Sequence, residues 1–173
     1  MTMNIYLTNL GKYNEGELVG EWVELPISEE ELEAVLERIG INEEYEEYFI
    51  TGYECDVEGV EIGEYTNVTT LNELAEELDS MQEWELEEVG AILEAHGGSL
   101  EDAIEAQQSG KYIYYSGRSI KELAEELADE NIACYTHEGK IPEFFTRYFD
   151  YEAFARDLEY DFVETSKGCI STN

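Results

Sequence analysis

From Ile39 to Gly110 the chain runs 72 residues without a single Lys or Arg. The same stretch holds 21 of the protein's 43 Asp and Glu residues. Like charges repel, and a carboxylate leaves water only at high cost unless it is paired. Any fold of this stretch must therefore turn long acidic faces to solvent. The acids number 36 Glu to 7 Asp. Glu tolerates helix interiors better than Asp, so the carboxylates are expected to ride largely on helices. Residues 1–110 set only Lys12 and Arg38 against 30 acids, whereas residues 111–173 set 7 basic residues against 13.

The formal charge of the 173-residue chain is −34, which argues against nucleic acid as a direct ligand. Binding DNA depends on Lys and Arg displacing counterions, and this surface repels phosphate and anionic membranes alike. Charge alone would suggest disorder, but Leu, Ile, Val and Phe supply 42 residues, and 13 Tyr and two Trp add rings to bury. The chain is therefore expected to fold. The N-terminus shows no basic, apolar secretory pattern, and no apolar run approaches the roughly 18 residues of a membrane span. Cys55, Cys134 and Cys169 are odd in number and far apart. They read as reduced thiols of a cytoplasmic protein, with neither a disulfide framework nor a zinc site.

Hydrophobic periodicity predicts an α+β chain of three small modules: an antiparallel sheet with a helix over 1–65, an acidic helical module over 66–110, and an α+β module over 111–173. Strands are expected at Met3–Leu10, Leu18–Leu25, Tyr48–Tyr53, Lys111–Ser116, Asp161–Thr165 and Cys169–Thr172. Ser28 with Glu31 reads as a capping box ahead of Leu32, Val35, Leu36 and Ile39. Thr70 is expected to cap a helix through Leu78. Further helices are expected from Gln82 to Ala95, from Ser99 to Gly110, after a Ser119–Glu122 box, from Pro142 to Phe149 and over Tyr151–Leu158. The string ELAEEL occurs at Glu73–Leu78 and again at Glu122–Leu127. Glu, Leu and Ala are good helix formers, so this is convergence and not a repeat architecture.

Like charges stack at helical spacing in Glu29–Glu33–Glu37, Glu73–Glu77 and Glu83–Glu87. Each such i,i+4 pair costs about 0.2–0.5 kcal/mol, a penalty that solubility alone does not explain. Salt adaptation also produces acidic surfaces, but the concentration of charge in the first two thirds of the chain speaks against it. No segment supplies the alternating ligands of a calcium-binding EF-hand loop. With 43 acids, paired carboxylates carry no catalytic signal. His137 lies in HEGKI, which is not HExxH, and phosphate loops and nucleophile elbows are missing. No cofactor, metal or catalytic residue is expected, and the chain does not read as an enzyme.

B-DNA carries one negative charge per about 1.7 Å of axis, so 34 charges match those on roughly 58 Å, or about 17 base pairs. An acidic surface of that density would be steered quickly to the basic grooves of DNA-handling proteins. The segment Tyr6-Leu7-Thr8-Asn9-Leu10-Gly11-Lys12-Tyr13-Asn14-Glu15-Gly16-Glu17-Leu18, with Gly20, Trp22, Leu25 and Pro26 beyond it, resembles the N-terminal signature of the ArdA antirestriction proteins. Glu43–Glu54 resembles the family's next segment, and Phe149–Leu158 its C-terminal motif. The likeness spans nearly the whole chain and is weakest in residue identity over Thr66–Gly110.

That resemblance implies an elongated, three-module, homodimeric DNA mimic carried on mobile genetic elements. It would occupy the DNA-binding groove of type I restriction–modification enzymes at their methyltransferase core. It further implies that the C-terminal module holds the dimer contact and an antirestriction motif at about Gly139–Leu158. The carboxylates placed to take the role of phosphates are Glu29, Glu30, Glu33 and Glu37; Glu43, Glu44, Glu46 and Glu47; Glu73, Glu76, Glu77 and Asp79; and Glu83, Glu85, Glu87 and Glu88. Lys12, Tyr13, Asn14 and Trp22 fit a strand–loop–strand around a buried Trp. Phe144, Phe145, Tyr148, Phe149 and Phe154 fit a core, with a dimer contact as the sharper option for Phe145 and Phe149. The strand carrying Tyr112, Ile113, Tyr114 and Tyr115 is a candidate edge for pairing across a two-fold. Arg118, Lys121 and Lys140 lower the acidity of this module. The competing reading is an acidic regulator that sequesters another basic DNA-binding protein, such as a nucleoid protein or a repressor.

Overall fold

The computed structural model describes residues 1–134 and 143–173, and their side chains apart from those of Phe144 and Phe145. The order is β1 Met3–Asn9, α1 Leu10–Asn14, β2 Gly20–Leu25, α2 Glu29–Arg38, β3 Tyr48–Cys55, α3 Val68–Ser80, α4 Glu83–His96 and α5 Leu100–Gln108. It continues with β4 Tyr114–Ser116, α6 Ile120–Cys134, α7 Glu143–Tyr148, α8 Tyr151–Leu158, β5 Phe162–Thr165 and β6 Gly168–Ser171. The architecture is α+β, with two three-stranded antiparallel sheets. The chain divides into two compact units, Met1–Leu86 and Glu87–Asn173, so the division falls inside α4.

In the first unit the strand order is β2-β1-β3. Alternation along the strands buries Met3, Ile5, Leu7, Val23 and Leu25 on one face, as a half-buried antiparallel sheet requires. Val35 of α2 and Val68, Leu71, Ala75 and Leu78 of α3 are buried in the same unit. The β1–β3 register shifts after Tyr6, which pairs with Gly52 while Leu7 pairs with Ile50. The extra residue, Thr51, is held by a 2.7 Å hydroxyl contact with Thr8. Asn72 ties α3 to the segment before α2: its Oδ1 accepts from Ile27 N at 2.7 Å and its Nδ2 donates to Ile27 O at 3.1 Å.

The second unit centres on β6, in the order β4-β6-β5. All four β6 residues are buried. Gly168 is required there, because a Cβ would run into the Tyr115 carbonyl of β4. Helix α4 is buried on every side from Glu88 to Leu93, and α5 buries Ala103, Ile104 and Ala106. Helix α8 is joined to α6 by Tyr151 Oη, which donates to Asp129 Oδ1 at 2.6 Å. None of the three cysteines is disulfide-bonded. No helix among the described residues is long and apolar enough to cross a membrane.

Several local expectations are corrected. The chain turns helical at Leu10 instead of ending a strand there, because Asn9 caps a short α1. Strand β2 begins at Gly20, since Leu18 is left exposed by the turn through Gly16 at φ +87°. Asn67, not Thr70, caps α3: its Oδ1 accepts from Thr69 N at 2.8 Å and Thr70 N at 3.1 Å, and the earlier start buries Val68. At α2, Ser28 Oγ accepts from Glu31 N at 3.2 Å, while the Glu31 carboxylate accepts from Arg38 Nη2 at 3.0 Å. Strand β4 covers only Tyr114–Ser116 of the expected Lys111–Ser116. Trp22 is 50% exposed and Tyr148 70% exposed, so neither is a core residue. Pro142, Lys140, His137 and residues 139–142 of the expected antirestriction motif lie outside the described residues, as do the side chains of Phe144 and Phe145.

Candidate functional site

Helix α2 presents Glu29, Glu30, Glu33 and Glu37 to solvent, all exposed. Ten residues span about 15 Å of axis, so these four stand at about one charge per 4 Å. A single DNA strand carries one per about 3.4 Å. Glu43, Glu44, Glu46 and Glu47 are exposed in the loop before β3, where Asn42 Oδ1 accepts from the backbone of Glu44 at 2.8 Å and of Tyr45 at 3.1 Å. On α3, Glu73, Glu76, Glu77 and Asp79 are exposed, with Asp79 Oδ1 3.7 Å from the N-terminal ammonium. This is one acidic set on three segments of one compact unit.

Glu83 is exposed at the start of α4. Glu85 is half-buried and closes the helix start, its Oε2 accepting from Gln82 N at 2.7 Å. The last two members of the group belong to the second unit and are engaged within it. Glu87 Oε2 accepts from Ser116 Oγ at 2.7 Å. Glu88 is only 9% exposed, and Gln107 Nε2 donates to its Oε2 at 3.3 Å. The structure thus places Glu88 in the interior, not on a solvent face. The i,i+4 rhythm could not reveal this, because α4 is buried all round at that level.

The counter-charges of the first unit are already engaged. Arg38 donates from Nε to Glu21 Oε2 at 3.1 Å and from Nη2 to Glu21 Oε1 at 2.9 Å and Glu31 Oε1 at 3.0 Å. This fork holds the Glu21 carboxyl below its usual range. Lys12 Nζ lies 3.5 Å from Glu17 and 3.7 Å from Glu15, and 4.5 Å over the Tyr45 ring. Tyr45, then Glu17 and Glu15, hold the ammonium above its ordinary pKa. Both side-chain cations thus sit with carboxylates outside the expected acidic set: Glu15, Glu17, Glu21 and Glu31.

The N-terminal signature has a structural logic. Asn9 is fully buried; its Oδ1 accepts from Lys12 N at 2.9 Å while Nδ2 donates to Ile39 O at 3.1 Å and Gly40 O at 3.2 Å. One side chain so starts α1 and closes the end of α2. Gly11 lets the Tyr45 ring lie against the backbone of α1, where a Cβ would collide with it. Tyr45 Oη donates to Glu15 at 3.1 Å. The signature therefore fixes the acidic 43–47 loop against α1.

In the second unit, Tyr112, Ile113, Tyr114 and Tyr115 of the candidate dimer residues occupy an edge strand and its approach. Ile113 is 57% exposed; its N donates to Ser171 Oγ at 3.0 Å, and its carbonyl accepts from Ser171 N at 2.9 Å. Tyr112 stacks on His96 with ring centroids 4.1 Å apart, and Tyr115 packs edge-on to Phe162. Tyr114 Oη donates to Lys167 O at 3.1 Å. Phe149 meets Tyr151 and Phe154 edge-on. Among the described residues, no group of three or more His, Cys, Asp or Glu is placed to hold a metal ion.

A family model described as Antirestriction protein (ArdA) matches residues 5–171. The chain belongs to the ArdA family of antirestriction proteins. No individual curated protein matches it closely enough to add to this. ArdA membership makes the protein an inhibitor of restriction enzymes and not itself an enzyme. It also implies interaction with restriction–modification enzymes. Sequence reasoning passed over Glu21 and Glu24 of this ArdA chain, gave Glu54 no role beyond closing a matching segment, and expected Trp22 to be buried where it is exposed. The signal available for them was strand alternation, which sets Trp22 and Glu24 on the face opposite Val23 and Leu25.

Proposed function

We propose that the protein inhibits type I restriction–modification enzymes by occupying the DNA-binding groove of their methyltransferase core as a mimic of B-form DNA. The observation that carries this reading is the exposed carboxylate set of α2, the 43–47 loop and α3. It is displayed by a unit whose Lys12 and Arg38 are already bound by other carboxylates. Lys and Arg that normally grip phosphate would pair with these carboxylates instead. No chemistry is involved, and no cofactor is needed. The same reading has the chain act as a homodimer through the β4 edge, with the segments 1–65, 66–110 and 111–173 as its functional modules.

The test is displacement. Titrating the protein into a type I methyltransferase core bound to labelled duplex should release the DNA stoichiometrically, while the protein shows no affinity for DNA itself. Intact complexes in excess protein would overturn occupancy and favour sequestration of a different basic protein. Binding should be distributed over many contacts. A single Glu33→Gln substitution should change the affinity less than about twofold, as expected of one solvent-screened pair. Neutralising Glu73, Glu76 and Glu77 together should lower affinity about tenfold and flatten its dependence on salt. Abolition of inhibition by one neutralised carboxylate would exclude a distributed mimic.

A further inference from the structure

The register of the first sheet sets out a second kind of surface. On the face opposite the buried residues, Glu24, Asn4 and Glu54 lie in one cross-strand row, and Trp22, Tyr6 and Gly52 in the next. The Trp22 indole is 50% exposed, meets the Tyr6 ring edge-on with centroids 5.3 Å apart, and reaches over β1 to Gly52 of β3. A Cβ at Gly52 would touch the indole at 3.5 Å, so a long side chain there would compete for its place. Rows on one face are about 6.8 Å apart along the strands, and neighbouring strands about 4.8 Å apart. Glu24 and Glu54 therefore stand together in the row beside the aromatic one, two strands apart and within reach of one planar cation. Both are exposed, and neither has an ion-pair partner among the described residues. Glu21 alternates with Val23 and Leu25, so Arg38 is held on the other side of the sheet.

We infer that this face is a docking platform for an arginine of the basic protein partner, stacked on Trp22 with its donors turned to Glu24 and Glu54 in the adjacent row. An aromatic face attracts a cation, Trp most strongly, and a guanidinium both stacks and donates to carboxylates in its plane. Charge complementarity selects the occupant: a sheet face bearing carboxylates in a chain of charge −34 draws a cationic side chain. Carboxylate contacts on the helices weaken as salt rises. An indole–guanidinium contact is screened less, so Trp22 supplies an anchor that persists at physiological ionic strength. This rests on the occupancy reading above and adds to it a specific contact that charge alone does not provide.

The experiment is direct binding of the labelled full chain to the methyltransferase core across a salt series, with far-UV circular dichroism and thermal midpoints verifying each variant's fold. Trp22→Ala should weaken binding about tenfold at every salt concentration, the scale of one partly desolvated cation–π contact, with the slope of log K against log salt equal to the parent's. Trp22→Phe should fold as the parent and fall between the two. Glu24→Gln with Glu54→Gln should weaken binding and also lower the slope. Parent-like affinity of Trp22→Ala overturns the platform while leaving occupancy standing. Failure of the parent to bind the core overturns both. Loss of self-association in Trp22→Ala, with core binding unchanged in sedimentation velocity, would make the face a contact between copies and overturn the arginine assignment.

Discussion

Asn9, Tyr151 and Gly168 show how single residues hold each unit in shape. Asn9 satisfies three backbone groups from a fully buried position, and its removal would leave donors and acceptors unpaired in the interior. Tyr151 donates to Asp129, whose carboxylate, helped by burial, pushes the phenol up to about 12. Burial likewise pushes the Cys169 thiol up to about 11. Both groups bind their protons more tightly folded than unfolded, so their contribution is full at neutral pH. The Tyr151 share is lost as pH rises from about 10 through its folded value. Tyr151→Phe should accordingly flatten the alkaline limb of stability between about pH 10 and 12. Urea melts of parent and variant at several alkaline pH values measure it, and parallel limbs would refute it. At this scale the sequence spoke clearly for Gly40 and Gly110 as helix ends, which adopt φ of +82° and +61°. It misplaced Trp22 in a core, since the same residue serves a core or an open sheet face, and only the neighbouring rows decide.

The helices illustrate what a local signal does and does not carry. Ser119 with Glu122 forms the reciprocal cap its spacing predicts, and Ser99 forms another with Asp102. Each Ser holds its carboxylate partner below the usual range, so these caps contribute at neutral pH and fade as pH falls through the lowered values. At α3 the cap moves three residues upstream to Asn67, because a longer first turn buries Val68. Asn67→Ala should cost about 1 kcal/mol in urea denaturation, whereas Thr70→Ala should cost a few tenths at most, Thr70 lying exposed inside the helix. Reversal of that order would mean the helix starts at Thr70. The two ELAEEL strings are both helical, yet Leu78 is buried in α3 while its counterpart Leu127 is only half-buried in α6. The string specifies a helix. Which of its sides meets a core depends on what packs there.

For the molecule as a whole, a charge of −34 acts on folding and on binding with opposite sign. Repulsion among the carboxylates opposes the compact state, while attraction to a basic groove would favour the proposed complex. Raising monovalent salt from about 0.02 M to about 0.5 M shortens the screening length from roughly 20 Å to about 4 Å. The thermal midpoint of the free protein should rise over that range while its affinity for the methyltransferase core falls. A midpoint that stays level or drops would show that self-repulsion has little influence on its stability. Composition and periodicity by themselves determined that the chain folds, that it is α+β, that its acids sit mainly on helices and that its charge suits a basic protein partner. Those properties follow from sums and local spacing, which need no knowledge of neighbours. Only the tertiary structure decided that Glu88 is buried against Gln107, that Arg38 and Lys12 are bound by Glu21, Glu31, Glu15 and Glu17, and that Trp22 faces water. Burial and pairing are relations between residues far apart in the chain, and they exist only once the segments have packed.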